Sequence, residues 1–281
     1  SPTIVGEIAN QDLHADANID YVIIIPASGK LQAQAEKLAQ AHTTQSGLRT
    51  KVVRADQIYN EFSSGTPDAT AYRRYLKMLY DKATSDADAP RYLLLFGNCA
   101  FDNRMITSDW KKASPNDYLL AYERSDEENY NTNYRLGTLH DYVTDDYFCL
   151  LDDEEGARIT SEKIDLGVGR FLCTTEEEAT TLVGKAISYM NNTQAGAWKN
   201  RMWAIGDVGD NNLHMNDAQA VCTQVDLSAP EGLMLRRIYP DAYAATEEAR
   251  GTSYPEATAS IKHAMPVSYT HLRAHETKAN L

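Results

Sequence analysis

The most regular feature of the chain is a series of short apolar runs separated by amphipathic segments. Residues 21–25 and 92–96 are continuous apolar runs of strand length, typical of strands that are buried on both faces of a parallel sheet. The segment after the first run has apolar residues at helical spacing, at Leu31, Ala35, Leu38 and Ala41. Gly47 follows as a helix stop, and residues 49–54 predict the next strand. This order predicts a βαβ unit with a right-handed crossover.

A second helix and strand follow the first unit. Thr66 or Asp68 can cap this helix, which leads into the apolar run at 92–96. The apolar residues of the predicted helix are Tyr72, Tyr75, Leu76, Leu79 and Tyr80. Residues 99–140 are polar and nonperiodic, and they are too long for an ordinary connector, so they predict a structured excursion.

Recognisable secondary-structure patterns resume at residues 147–151 and 164–170, on either side of an acidic turn. Thr174 and Glu177 have the spacing of a capping box, in which each side chain accepts a hydrogen bond from the other residue's backbone. They predict the start of a helix that carries an apolar stripe. This helix is expected to close the first α/β unit.

A smaller α/β pattern occupies the rest of the chain. Strands are predicted at 201–205 and 233–239, and helices at 216–226 and 254–265. Two strands and two helices cannot bury a sheet of normal size, so this unit is predicted to be incomplete. The predicted organisation is a linker, a first subdomain, the start of a second subdomain and a tail, at residues 1–19, 20–198, 199–265 and 266–281.

The tail has a composition unlike the rest of the chain. Residues 266–277 resemble the translation of a sequencing-library adapter, so the natural sequence is expected to stop near Met265. His271 and His275 have the i, i+4 spacing of metal ligands, but the adapter interpretation is preferred.

Charge and composition exclude several classes of protein. The formal net charge is −13, and clusters of Lys and Arg are lacking, which argues against nucleic-acid binding. No apolar run approaches the roughly 20 residues of a membrane-spanning helix. Ser1-Pro2-Thr3 does not begin a signal peptide, so any secretory signal would have to lie upstream. The four cysteines are widely spaced, which indicates neither a zinc site nor a disulfide framework.

The ordered motifs of the chain resemble the first half of the gingipain catalytic domain. They include the runs at 21–24 and 92–97, the segment Ile58-Tyr59-Asn60-Glu61-Phe62, and the strand end Leu166-Gly167-Val168-Gly169-Arg170-Phe171. Residues 207–217 are most similar to the branch of this family that acts as sortases of type IX secretion. The resemblance covers nearly all of residues 20–265.

This resemblance implies a caspase-like α/β architecture of two adjacent Rossmann-like subdomains, of which the second supplies a catalytic His and Cys. It also implies acyl transfer, in which a thiolate attacks the scissile carbonyl and the His protonates the leaving amine. In a sortase an amine replaces water in the second step. Neither catalytic residue is matched here, because the chain is expected to stop before the strands that carry them, and the chain alone is expected to be inactive.

Two residues of this sequence are expected near the family's catalytic site. Asp207, after the strand at 201–205, matches an acidic residue that orients the catalytic His; an ordinary helix-capping Asp is the alternative. His214 is expected to face the substrate cleft and to shape the specificity pocket, or else to bond locally. His263 is expected to be exposed on the last helix.

Cofactors, partners and location also follow from the resemblance. No cofactor is required, but gingipains bind structural calcium. Two sets of oxygen ligands are available for it, namely Asp145, Asp146, Asp152 and Asp153, and Asp207, Asp210 and Asn212. Solvated turn charges are the preferred interpretation of the first set. Protein or peptide substrates are implied, including secretion cargo with a C-terminal signal, at the bacterial surface, outer membrane or periplasm.

Three other interpretations remain open at this stage. Cys99 follows a strand and could be a nucleophile with His140 or His42 as its base, although a buried structural thiol is preferred. Cys222 is expected to lie on an apolar helix face with Ala218 and Val221. A nucleotide- or sugar-binding domain is suggested only by Gly167-Val168-Gly169-Arg170, which lacks the third glycine. A noncatalytic adhesion or ligand-binding module is the remaining alternative.

Overall fold

In the computed structural model, the described residues are 6–125, 141–157, 159, 161–193, 195–229, 231–248 and 251–264. The chain divides into two compact units, Ser1–Thr193 and Gln194–Leu281. Among the residues described, no helix combines the length and the hydrophobicity of a membrane-spanning segment.

The helices are α1 Gln32–Ser46, α2 Ala55–Phe62, α3 Thr70–Lys82, α4 Glu176–Met190, α5 Gly209–Ser228 and α6 Pro255–Ala264. The strands of the first unit are β1 Tyr21–Ile25, β2 Thr50–Arg54, β3 Tyr92–Phe96, β4 Tyr122–Ser125, β5 Asp141–Thr144 and β6 Gly167–Phe171. The strands of the second unit are β7 Arg201–Ile205, β8 Met234–Ile238, β9 Thr246–Glu248 and β10 Gly251–Ser253.

A four-stranded parallel sheet forms the centre of the first unit, in the order β2-β1-β3-β6. Tyr21 lies opposite both Thr50 and Tyr92, and Tyr92 also lies opposite Gly167. The predicted α/β class and the βαβ unit are therefore confirmed.

Each face of this sheet is covered by a pair of helices. Val22 and Ile24 point into a core with α2 and α3, whereas Ile23 and Ile25 point into a second core with α1 and α4. Because neighbouring strand residues face opposite sides, a continuous apolar run is needed to fill both cores. The run at 21–25 supplies such a strand, and all but Tyr21 are buried.

The turn after α1 has the predicted geometry. Gly47 adopts the left-handed conformation with φ of 66°, and its N–H donates to the carbonyl oxygen of His42. A residue with a Cβ is strained in this conformation, which explains why glycine ends the helix.

The segment between β2 and β3 contains one helix more than predicted. α2 begins directly after β2 and buries Ala55, Ile58 and Tyr59. At the start of α3, Asp68 Oδ1 accepts a hydrogen bond from the Thr70 N–H at 2.8 Å. Of the two predicted capping residues, Thr66 and Asp68, it is therefore Asp68 that bonds the first turn of α3.

The capping box of α4 lies one residue later than predicted. Thr175 is the cap, and its Oγ1 accepts a hydrogen bond from the Glu178 N–H at 3.2 Å. The Glu178 carboxylate accepts in return from the backbone of Thr175. The prediction of Thr174 with Glu177 was wrong, because two Thr residues followed by three Glu residues allow the same spacing in two registers.

Asp20 joins three strands at their amino-terminal ends. Its carbonyl oxygen accepts hydrogen bonds from the backbone of Arg91 and Tyr92, and its own N–H donates to the carbonyl of Arg49. Its buried carboxylate binds the Arg49 guanidinium at 2.9 Å through both oxygens and lies 3.2 Å from that of Arg91. The hydrogen bond from Arg49 holds the pKa of Asp20 below its ordinary value.

The excursion after β3 is structured where it is described. It contains the short helical turn Pro115–Asp117 and the antiparallel pair β4–β5. The predicted structured excursion is confirmed for residues 99–125, whereas His140 lies outside the described residues.

The second unit contains the parallel pair β7–β8 with α5 and α6, and an antiparallel hairpin of β9 and β10 that was not predicted. Cys222 is fully buried on α5, as expected. Val221 was expected beside it on an apolar helix face, but its side chain is 52% exposed. His263 is exposed on α6, as predicted.

Candidate active-site region

The carboxyl end of β7 presents Asp207, one residue beyond Gly206. Asp207 is exposed, and its Oδ1 accepts a hydrogen bond from the Val208 N–H at 2.7 Å. One carboxylate oxygen is held by the backbone in this way, while the side chain remains accessible from solvent. The carboxyl ends of parallel strands are where α/β proteins place their functional groups, and Asp207 occupies such a position.

Gly206 brings the end of β7 into close contact with α5. A Cβ at this position would lie 2.7 Å from the Cα of Met215 and 3.1 Å from the carbonyl oxygen of His214. Only glycine allows the two backbones to approach this closely. The packing fixes where the chain leaves the strand, and so it fixes the position of Asp207.

Three successive left-handed residues interrupt the start of α5. Asp210, Asn211 and Asn212 have φ angles of 51°, 55° and 63°. Asn and Asp tolerate this conformation better than other residues with a Cβ, but each instance is still strained. The polar segment at 206–212 therefore has a defined conformation, and Leu213 beyond it is 52% exposed.

His214 lies on α5 just after these strained residues. Its Nε2 is 3.5 Å from Asp210 Oδ2, and both side chains are largely exposed. A pair of this kind is weak in solvent. This contact agrees with the alternative prediction for His214, namely that it bonds locally. Among the described residues, no hydrogen bond joins His214 to Asp207.

The cysteines of the described part of the chain form no nucleophile–base pair. Cys149, Cys173 and Cys222 are buried, and burial raises the pKa of the Cys173 thiol to about 11. Cys99 is half-buried after the carboxyl end of β3. His42 is near the end of α1, with its ring 4.9 Å from that of Tyr21, the first residue of β1. The pairing of Cys99 with His42 was wrong, because the two lie at opposite ends of the sheet.

The Gly-Val-Gly-Arg segment is part of a strand. Gly167 and Gly169 both lie within β6, paired with Tyr92 and Leu94 of β3. Arg170 points to the carboxylate of Asp145. A phosphate-binding segment would form a turn leading directly into a helix, so the nucleotide-binding interpretation was wrong.

The first set of predicted calcium ligands is divided in the structure. Asp145 binds Arg170, Asp153 lies 3.0 Å from Lys77 Nζ, and Asp146 is exposed. The interpretation of Asp145 as a solvated turn charge was wrong, because its carboxylate pairs with a buried guanidinium.

Sequence reasoning missed a different acidic cluster. Carboxylate oxygens of Asp152, Glu155 and Asp165 all lie within 4.8 Å of one another. Burial, followed by the nearby carboxylates, raises the pKa of Glu155. Such oxygens could hold a hard cation. The turn from Asp152 to Glu155 is visible in the sequence, but Asp165 is distant from it along the chain. Asp165 is held close to the turn because its N–H donates to the carbonyl of Cys149 and its carboxylate accepts from the Leu151 N–H.

Solved structures similar to this chain include dimeric latent PorU from Porphyromonas gingivalis. The identity is 37% and the TM-score 0.61, over 71% of this chain and 18% of the PorU chain. The chain thus spans less than a fifth of the length of PorU. A structure described only as a protease matches at 13% identity with a TM-score of 0.43, over 68% of this chain and 33% of its own.

No curated protein sequence matches the chain. The family model described as peptidase family C25 matches residues 14–275, which cover most of both compact units and extend into the segment predicted to be adapter-derived. The parallel sheet, the likeness to PorU and this match agree with the predicted caspase-like α/β fold. The chain belongs to peptidase family C25, the gingipain family.

Proposed function

We propose that this chain is the amino-terminal part of the peptidase region of a gingipain-type cysteine peptidase that acts as a sortase of type IX secretion cargo. The observation that carries the proposal is the 37% identity to latent PorU over 71% of the chain. The parent protein would act outside the cytoplasm, at the bacterial cell surface, the outer membrane or the periplasm. Its substrates would be proteins with a C-terminal secretion signal.

The proposed reaction is acyl transfer. A cysteine thiolate attacks the scissile carbonyl carbon, the carbon–nitrogen bond breaks, and the departing amine takes a proton from an imidazolium. An amine then attacks the thioester and gives a proton to the now neutral imidazole, which forms the new amide, releases the thiolate and restores the imidazolium. The thiol and the imidazole are assigned to parts of the parent protein outside the described residues, because no described cysteine has a histidine partner.

Asp207 is proposed as a positioning residue for that imidazole. A carboxylate beside a catalytic histidine holds one ring tautomer and stabilises the imidazolium. The exposed carboxylate of Asp207 at the carboxyl end of β7 supports this role. His214 is proposed to line the substrate pocket on the same end of the unit.

The test uses the full-length parent protein with Asp207→Asn, and Asp241→Asn as an exposed control in the same unit. We expect Asp207→Asn to lower kcat at least tenfold with little change in KM and to shift the acidic limb of the kcat pH profile. A purely structural Asp207 would lower the amount of folded enzyme without moving that limb, and this result would reject the assignment. Asp241→Asn should match the parent.

His214→Ala in the same protein should raise KM with little change in kcat. If KM stayed unchanged for a set of peptides that differ in their P1 side chain, His214 would not line the substrate pocket.

The remaining interpretation is a noncatalytic adhesion module. A peptidyl electrophile should label one cysteine of the parent protein if it is a peptidase, whereas an adhesion module would not be labelled. The 281-residue chain by itself should cleave no peptide ester. Cleavage that thiol reagents inhibit would contradict the assignment of the nucleophile to another part of the parent.

A further inference from the structure

The first unit contains a cavity of about 700 Å³ that the proposed peptidase chemistry does not use. Ala27 follows β1 and Ala55 follows β2, so the cavity lies beyond the carboxyl ends of these strands. Its other walls come from residues 66–69, at the start of α3, and from the excursion after β3. Open α/β sheets bind ligands at this edge, and the volume is in the range of small-molecule sites.

Two tyrosines determine the hydrogen-bonding character of the cavity wall. Tyr59 lines the cavity, and its hydroxyl oxygen lies 2.5 Å from that of the fully buried Tyr72. The Tyr72 oxygen also accepts a hydrogen bond from the Leu120 N–H at 3.3 Å. Within the described residues, the Tyr59 oxygen is therefore the available acceptor for the Tyr72 proton.

The direction of this hydrogen bond follows from the cost of an unpaired buried donor, about 1–3 kcal/mol. A hydroxyl has one proton and two lone pairs, so Tyr72 donates to Tyr59 while it accepts from Leu120. The proton of Tyr59 is then left for an acceptor in the cavity. Burial raises the pKa of Tyr59, so this hydroxyl stays a donor at physiological pH.

Arg104 adds a positive charge to the same cavity. Its backbone N–H donates to Asp102, which also accepts from Ile106 and Thr107, so the loop that carries it has a fixed shape. Asn103 anchors this loop to both backbone groups of Ala121. In the described ranges, no carboxylate pairs with the Arg104 guanidinium.

The rest of the wall is mostly apolar, with Ala27, Ala55, Pro67, Ala69, Pro115 and Leu120. Asp68 is the acidic residue of the wall, and its carboxylate would repel a ligand with several negative charges. The cavity therefore combines the Arg104 cation and the Tyr59 hydroxyl with a largely apolar lining, and its polar lining residues besides these and Asp68 are Thr66, Asn103, Asn116 and Tyr118.

We propose that this cavity binds a small apolar monocarboxylate, whose carboxylate pairs with Arg104 and accepts the Tyr59 hydroxyl proton. The carboxylate could belong to a free acid or to the carboxyl terminus of a short peptide. This proposal is independent of the peptidase assignment, because Asp207 and His214 belong to the other compact unit.

Isothermal titration calorimetry of the full chain with 4-methylpentanoate and 4-methylpentanamide tests the ligand class. We expect saturable binding of the acid and binding of the amide at least about tenfold weaker, because a charged acceptor contributes more than a neutral one. Acetyl-Ala-Leu with a free or an amidated carboxyl terminus tests the peptide source in the same way. Binding of neither acid, or equal binding of acid and amide in both pairs, would overturn the proposal.

Two variants test the location. Arg104→Gln and Tyr59→Phe should each weaken binding of the acid, the first by about tenfold or more. Lys112→Gln removes an exposed charge of the same excursion that does not line the cavity, and it should bind like the unmodified chain. Arg104 is at the surface, so its variant is expected to melt at the unmodified temperature. Unchanged affinity of a folded Arg104→Gln would reject the site.

Discussion

Arg170 and Asp145 form a two-point ion pair that joins β6 to the segment after β5. Arg170 Nε and Nη2 lie 2.9 and 2.7 Å from the two carboxylate oxygens of Asp145. The guanidinium side chain is only 8% exposed, and its Nη1 also donates to the carbonyl of Gly97. The strand-end arginine of the family-like motif thus stabilises the first unit, and it is not a ligand-binding residue in this arrangement.

Asp145→Asn should destabilise the first unit by roughly 3 kcal/mol, because it leaves a buried guanidinium without its counter-charge. Urea unfolding followed by circular dichroism measures this loss. Asp146→Asn is the matched control, since the Asp146 side chain is exposed and should contribute almost nothing. Equal midpoints for the two variants would show that the ion pair has no net stabilising effect.

Glu61 is predicted to make the stability of the first unit depend on acidity. Burial disfavours the charged carboxylate of Glu61, but hydrogen bonds from residues 11–14 outweigh it and lower its pKa to about 2. The ordinary value is 4.5, so the folded state favours the charged form. The stabilisation is complete above about pH 4.5 and is lost as the pH falls towards 2.

Glu61→Gln should therefore cost roughly 2–3 kcal/mol at pH 7 and progressively less below pH 4.5. Urea unfolding at pH 7, 4 and 3 gives the difference at each pH. Glu36→Gln, an exposed change on α1, should leave both the stability and its pH dependence unchanged. If the difference in unfolding free energy between the parent and Glu61→Gln stayed constant with pH, the low pKa of Glu61 would be contradicted.

The register of the α4 cap can be tested by two neighbouring substitutions. Thr175→Ala should cost about 1 kcal/mol, since it removes the acceptor for the Glu178 N–H. Thr174→Ala should cost less, because the Thr174 hydroxyl caps no backbone group of the helix. Hydrogen exchange of the Glu178 amide should accelerate only in Thr175→Ala. If Thr174→Ala accelerated exchange at the helix start and Thr175→Ala did not, the capping box would be Thr174 with Glu177, as predicted from the sequence.

Gly206 and Gly209 provide a matched pair around Asp207. Gly206→Ala should destabilise the second unit by roughly 1–3 kcal/mol, because the new Cβ would overlap the backbone of Met215. Gly209→Ala meets nothing closer than Asp207 Oδ2 at 3.8 Å and should be nearly neutral. Thermal unfolding monitored by tryptophan fluorescence distinguishes them. A neutral Gly206→Ala would mean that α5 does not approach β7 this closely.

The sequence was sufficient for strands that are continuous apolar runs. Residues 21–25 and 92–96 were predicted with the bounds that the structure has, because few other elements tolerate five such residues in a row. The hairpin of β9 and β10 was missed, since its residues are polar and largely exposed and show no alternation. Its strands are held by backbone pairing, which leaves no hydrophobic pattern.

The candidate site was predictable only in its position along the chain. Asp207 was found because it follows a recognisable strand, but neither the left-handed conformation at 210–212 nor the close approach of Gly206 to Met215 leaves a hydrophobic pattern in the sequence. The cavity beside Tyr59 and Arg104 combines residues about 45 positions apart, a proximity that periodicity cannot reveal.

Asp20 has a consequence for how the central sheet acquires its order. One carboxylate and its backbone fix the starting points of β1, β2 and β3 together. During synthesis, this junction cannot close before Arg91 has left the ribosome, some 70 residues after Asp20. Until then only the Arg49 half of the junction, which aligns β2 with β1, can form, so the alignment of β3 is fixed in a later step.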